Sequence, residues 1–453
     1  MTPAGESAGA SPAGALPLRT MIGFGIGSLG TGVFSTVPSI LLLYFMTSVL
    51  AVPAGLAALT VFLPKFWDVL IDPGIGMVSD RTRSRWGRRR PYMLAGAIGM
   101  AILFVLLFSV PDLDSVFARF LYVTVVYMLC ATAYAVFSVP YIAMPAEISR
   151  DPNERTTLMS FRMGFAMVGI LLGGAGAPLL VELAGGGRPG YAVMALVIGV
   201  ACGAAMLVPV VATRRLRTSP PVTSELGFFA GLRQAATCRP FVLLIVTYLI
   251  QLSGLGCFSG ALPYYAVHIR QGSGVTVTLL FVALNLTAIA AMPLWTLVSR
   301  RIGKGRAYLL SSVMMAGAMA ALWLCDGAAS EARLYGQIGL MGLAFAGQQL
   351  FPFALLPDVL DADARQSGVP RQGMFTGLWT AGEKLGLALG GLFTGGILSV
   401  TGFIASSDAA VVQPASALAG VQVAFAVLPA VLVLVSLWPL LVFHRHVTNG
   451  ESY

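Results

Sequence analysis

The chain has 453 residues, 57% of them hydrophobic and only 10% charged, with a mean hydropathy of +0.84. Soluble globular domains carry about 25% charged residues, so composition excludes a water-soluble globule and leaves a polytopic membrane protein. The net charge of +9 would suggest nucleic acid in a soluble chain. Here the basic residues sit in short loops between apolar runs, where they set topology, and no nucleic-acid partner is expected.

The first 18 residues are small and polar, without the basic start and compact apolar core of a cleaved signal peptide. They read as a cytoplasmic tail, placed at 1–19. Apolar runs able to span a bilayer, which takes about 20 residues each, fall at 20–48, 56–79, 91–110, 118–144, 158–184 and 190–213. A second set falls at 241–267, 274–298, 307–325, 332–357, 374–402 and 417–443, followed by a tail at 444–453. The segment from Arg214 to Pro240 is the longest polar interruption and divides the chain at its midpoint. The expected architecture is therefore an all-α integral membrane protein with bundles at 20–213 and 241–443, joined by a cytoplasmic linker at 214–240.

Of the 28 Lys and Arg residues, 21 fall in the tails and loops on one side and four (Arg119, Arg188, Arg270 and Arg333) on the other. Lys65, Arg162 and Lys384 lie within spans. That bias places both termini in the cytoplasm. The expected location is a bacterial-type inner membrane, with a monomeric protein among membrane lipids.

The halves echo each other weakly: VSDRTRSRWGRRRPYML from Val78 and VSRRIGKGRAYLL from Val298 each close the second span of a half. A repeated basic loop at equivalent positions is the pattern of a two-bundle transporter. The five cysteines (Cys130, Cys202, Cys238, Cys257 and Cys325) are odd in number and lack CxxC spacing, so no disulfide framework or metal cluster is implied.

The chemistry concentrates between Pro64 and Pro91. Asp68 and Asp72 are four apart, which on a helix puts them on one face about 6 Å apart, inside an apolar segment. Ionisable groups at that depth point to function. Two carboxylates so placed either bind a cation or share a proton, since like charges in low dielectric push one of them to protonate. Lys65, one turn earlier, is a candidate internal base.

These residues resemble a known family. The loop resembles that of the major facilitator superfamily, and WDxxxDPxxGxxxDRTxSRWGRxRP from Trp67 to Pro91 resembles the glycoside-pentoside-hexuronide cation symporters, the family of the melibiose permease. Further matches are VPY at Val139, NERTTLMSFRM at Asn153, LPDVLD at Leu356 and GLWTAGEKLG at Gly377. The resemblance implies twelve helices in two pseudo-symmetric six-helix bundles, a central cavity, and cation-coupled symport of a sugar or glycoside by alternating access. It also implies no cofactor beyond a coupling proton or sodium ion.

Carried over by position, the resemblance assigns Asp68, Asp72 and Lys384 to cation coupling, with Asp68 and Asp72 as metal ligands if the ion is sodium. Two oxygen donors of the family's sodium site are replaced by Ile71 and Ala135, which favours a proton. Arg162 aligns with a family arginine near the sugar pocket. Glu383, beside Lys384, points about 100° away from it on a helix. The family's acidic and aromatic sugar ligands correspond to Gly30, Ser138 and Ile142. The remaining polar cavity candidates are Tyr134, Ser138, Tyr141, Tyr264, Gln348, Gln349, Trp379 and Thr380. A less polar pocket keeps an amphiphile such as a lysophospholipid as an alternative cargo. Asp80, Arg81 and Arg88, with the neighbouring Arg83, Arg85, Arg89 and Arg90, are expected to form a cytoplasmic latch between helices, and Pro140 to bend the fourth span.

Two other classes fit the sequence less well. A membrane enzyme needs a nucleophile, base or metal set, yet the histidines are His268, His444 and His446, two of them in the C-terminal tail. A channel needs a ring of charge that the sequence does not repeat.

Overall fold

The computed structural model describes residues 16–82, 84–149, 151–214, 237–367, 372–408 and 411–448. Most of the N-terminal tail and of the 214–240 linker, the end of the C-terminal tail, and Arg83, Arg150 and Arg371 lie outside the described residues. Within them the protein is all helical.

The N-terminal bundle comprises α1 (Leu18–Ser48), α2 (Ala54–Arg81), α3 (Arg90–Phe108), α4 (Val116–Ala143), α5 (Glu154–Leu183) and α6 (Gly187–Ala212). The C-terminal bundle comprises α7 (Arg239–Ile269), α8 (Gly274–Ile302), α9 (Lys304–Leu324), α10 (Glu331–Arg365), α11 (Gln372–Val400) and α12 (Ala415–His446). Eleven of these are both long enough and apolar enough to cross a bilayer. The twelfth, α11, has the length, with 29 residues, but carries Glu383 and Lys384 mid-helix, which lowers its hydropathy. α10 runs eight residues past its expected end, through Asp358, Asp361 and Asp363.

Packing within the two bundles is equivalent. α1 lies against α5 and α6 as α7 lies against α11 and α12; α3 against α4 and α6 as α9 against α10 and α12; α2 against α4 as α8 against α10. Lipid supplies no hydrophobic drive between helices, so close packing depends on small residues at the crossings. At the α1–α5 crossing a side chain on Gly32 would strike the backbone of Ala166, and one on Gly169 the backbone of Leu29. Gly256 and Gly390 stand in the same reciprocal relation at the α7–α11 crossing.

The echoed loops are also equivalent. Gly87 and Gly303 both adopt positive φ, 89° and 85°, in the turns that lead into α3 and α9, a conformation that favours glycine. The next residue in each loop is basic and pairs with an acid at the end of its own bundle: Arg88 with Glu147 at 2.8 Å and Lys304 with Asp358 at 2.6 Å.

The bundles meet at the end remote from these basic loops. There Thr47 and Tyr264 share a hydrogen bond of 2.6 Å, Thr278 donates to the Ala175 carbonyl, and the Gly274 amide donates to Glu182. Gly391 and Gly395 of α11 lie directly against Val61 and Ala58 of α2. Four π turns, Pro38–Leu42, Leu172–Gly176, Tyr265–Ile269 and Val423–Val427, fall in this closed half of α1, α5, α7 and α12. Towards the basic end the cover thins. The buried residues of α2 run from Ala54 to Asp68 and then cease until Ser79.

Candidate functional site

The level at which α2 loses its cover is where its two aspartates stand. Asp68 is fully buried, and the Asp72 side chain, one turn nearer the open end, is 27% exposed. Lys384 enters between them from α11. Its Nζ lies 2.7 Å from Asp72 Oδ2 and 3.5 Å from Asp68 Oδ2. Both Asp68 carboxylate oxygens and Asp72 Oδ1 are buried and lack a hydrogen-bond partner. Buried carboxylate oxygens are expensive to leave unpaired; with Asp68 Oδ1 and Asp72 Oδ1 without a partner among the described residues and Asp68 Oδ2 held by the ammonium alone, this is a candidate seat for a proton or small cation.

Aromatic rings line this seat. Lys384 Nζ lies 5.6 Å from the centre of the Tyr134 ring, Tyr134 packs on Phe34 with 4.9 Å between centroids, and Lys65 Nζ lies 5.4 Å from Phe34. An ammonium over a ring face is stabilised by the ring quadrupole. Lys65 is buried, so two lysines flank an aromatic pair and balance two aspartates. The side chains of Ile71 and Ala135 add no oxygen donor to the two carboxylates.

The other polar residues divide by depth. Arg162 of α5 stacks over the Tyr141 ring at 5.8 Å, with a buried Nε that has no partner. Gln348 of α10 and Trp379 of α11 are buried, each with an unpartnered N–H group. Thr380 is exposed and donates to its own helix at Thr376, Gln349 is half-buried, and Ser138 is buried one turn beyond Tyr134. Tyr141 and Tyr264 have other work. The Tyr141 hydroxyl donates to the Phe24 carbonyl at 2.6 Å and bonds Ser28, fixing α4 to α1. Tyr264 belongs to the closed end through Thr47. The structure thus brings Asp68, Asp72, Lys384 and Tyr134 into contact, leaves Arg162, Gln348 and Trp379 with free donors, and sets Tyr264 apart.

With this geometry, comparison with known proteins is decisive at the level of family. The family described as MFS/sugar transport protein matches residues 23–444. The chain belongs to it. A bacterial homologue of the human lysosomal transporter Spinster, in an inward-facing and unoccupied conformation, superposes with a TM-score of 0.72 at 15% identity, over 95% of this chain and 98% of that one, which shows the shared fold. An uncharacterized symporter of Synechocystis is 28% identical over 92% of each chain. The inner membrane symporter YicJ of Escherichia coli is 27% identical over 93% of this chain and 90% of its own. The isoprimeverose transporter of Lactiplantibacillus pentosus is 24% identical over 95% and 89%.

In this MFS/sugar transport protein, the basic loop makes its contacts inside the N-terminal bundle. Asp80 accepts from Arg89 at 2.8 Å, Arg88 donates to Glu147 at 2.8 Å, and Arg89 also contacts Glu147. Arg81 is exposed at the end of α2. Arg89 and Glu147 are therefore centres of the charge network, along with Asp80 and Arg88. Glu147 was legible as an acid just after VPY, opposite a run of arginines. What the sequence lacked was the short helical turn Pro145–Ile148 that presents it.

Proposed function

We propose that this membrane transporter is a cation-coupled symporter of a small polyhydroxylated solute, a sugar or glycoside, working by alternating access. The observation that carries the reading is Lys384 bridging from the C-terminal bundle to Asp72 and Asp68 of the N-terminal bundle. A cation arriving at the aspartates displaces the ammonium, so occupancy of the seat changes how the bundles hold each other. The isoprimeverose specificity named for one relative supports a saccharide cargo, and nothing in the names of the relatives above favours an amphiphile.

We favour a proton as the coupling ion. One carboxylate suffices to carry it, whereas the seat offers a sodium ion few oxygens. The bias of Lys and Arg supports an orientation with both termini in the cytoplasm of a cell with an inner membrane, which makes the open end the inward one. The protein is taken to act as a monomer. The test is uptake of isoprimeverose and related glycosides by proteoliposomes under imposed proton or sodium gradients. Accumulation driven by the proton gradient is expected. Uptake unaffected by either gradient would refute coupling.

A further inference from the structure

Glu383 is the mid-membrane carboxylate that the coupling site leaves over. Among the described helices, Asp68, Asp72 and Glu383 lie at mid-depth, while the remaining acids sit in loops or toward helix ends. Asp68 and Asp72 face Lys384. Glu383 joins no salt bridge among the described residues, although it is half-buried in a position where an idle charge is costly.

Its direction follows from its neighbours on α11. Gly386 and Gly390 pack on α7, and Gly391 and Gly395 on α2. Thr376 and Thr380, seven and three residues before Glu383, are exposed, so this third face, shared by helical spacing, looks into the space between the bundles. Across that space, on the N-terminal bundle, Arg162 stacks over Tyr141 of α4, two turns along from the Tyr134 ring that Lys384, the neighbour of Glu383, covers; its Nε has no partner among the described residues, and its charge acts on Glu383.

The geometry points to Glu383 and Arg162 as opposed jaws of the solute site, one on each bundle, Glu383 accepting hydrogen bonds from solute hydroxyls and Arg162 donating to solute oxygens. The acceptor absent from α1 and α4, which hold no Asp or Glu, is thus supplied from α11. A neutral polyhydroxylated solute is the class that fits. One side chain that accepts and one that donates match hydroxyls, which do both, and an acid facing a base offers no net charge for an ionic solute to answer.

This inference rests on the transporter reading above, and the test separates the two. Full-length wild type, Glu383→Gln, Glu383→Asp, Arg162→Gln and the double variant Arg162→Gln/Glu383→Gln are reconstituted and assayed for counterflow of isoprimeverose, melibiose and xylose, with folding checked by thermal unfolding. Loss of a hydrogen bond to a charged partner should raise the half-saturating sugar concentration about ten- to a hundredfold in either Gln variant. The Asp variant should fall between Gln and wild type. The ion concentration for half-maximal uptake should stay within about twofold, and the double variant should be at least as impaired as the worse single one. A double variant restored to near wild type would overturn the proposal, because it would reduce the residues to an ion pair. So would a Glu383→Gln protein with unchanged sugar dependence. A wild type that exchanges none of the three sugars would instead overturn the saccharide reading, and this inference with it.

Discussion

Lys384 Nζ and Asp72 Oδ2 stand 2.7 Å apart across the interface between two bundles, from positions 312 residues apart in the chain. The contact sits where the closed half of the protein gives way to the open half. It is one ion pair, yet it joins the proposed ion seat to the contact between the bundles, since whatever neutralises Asp72 also weakens this tie between α11 and α2.

Asp72→Asn removes the charge that faces the cavity and keeps the shape. Gradient-driven accumulation of sugar should be lost while counterflow persists, because exchange needs no net ion movement. Normal accumulation in this variant would show that Asp72 is not a coupling group.

Lys384→Ala leaves Asp68 buried beside Asp72 with Lys65 as the remaining nearby base. Breaking a buried pair by removing one partner costs about 3 to 5 kcal/mol, so the variant should unfold at a lower temperature in detergent and transport without coupling. Adding Asp68→Asn should recover the stability but not the coupling. A single variant as stable as wild type would contradict the pairing.

The two equivalent basic-loop pairs should differ in worth. Glu147 is buried and serves both Arg88 and Arg89, so Glu147→Gln should destabilise by about 3 kcal/mol. Lys304 and Asp358 are 46% and 55% exposed, and Asp358→Asn should cost at most about 1 kcal/mol. Denaturant or thermal unfolding of both variants, measured side by side, checks the order.

Gly395→Val should wedge the seam between α11 and α2, where Ala58 leaves no room for a side chain. The closed end would then be held apart. A cysteine placed at Tyr44, whose ring packs on Tyr264 at that end, should react with a membrane-impermeant maleimide added there several times faster than in the parent protein. Equal rates would mean that the seam does not set closure.

Gln251→Leu should expose a different dependence. Gln251 donates to Ser312 and Ser436 and accepts from Tyr308, tying α7, α9 and α12 together. The substitution strips partners from three buried hydroxyls at about 1 to 3 kcal/mol for each group left unsatisfied. Thermal unfolding should fall, with the ion and sugar dependence of transport unchanged.

Much of this was legible in the sequence because the bilayer imposes it. Span lengths, loop charges and Asp68, Asp72 and Lys384 are local signals, and the ends of most helices lie within a few residues of the expected positions. α11 is informative, since Glu383 and Lys384 interrupt its apolar run and Lys384 is the residue that reaches the aspartates. What the sequence withheld was pairing. That Arg89 serves Asp80 and Glu147 at once, that Tyr264 and Tyr141 are tied to neighbouring helices, and that Glu383 joins no salt bridge among the described residues all depend on which helices meet. The spacing within one helix carries none of that information.

The four π turns carry a consequence for how the closed end parts. Each holds one residue more than α-helical winding accommodates, and an α-helix advances about 1.5 Å and turns 100° per residue. α1, α5, α7 and α12 therefore keep slack in the half where the bundles touch. Moving that surplus residue along a helix would swivel the segment it passes while the backbone ladder on either side stays intact. Under the alternating-access reading, the closed end would then have a travel of its own, separate from the tie between Lys384 and Asp72.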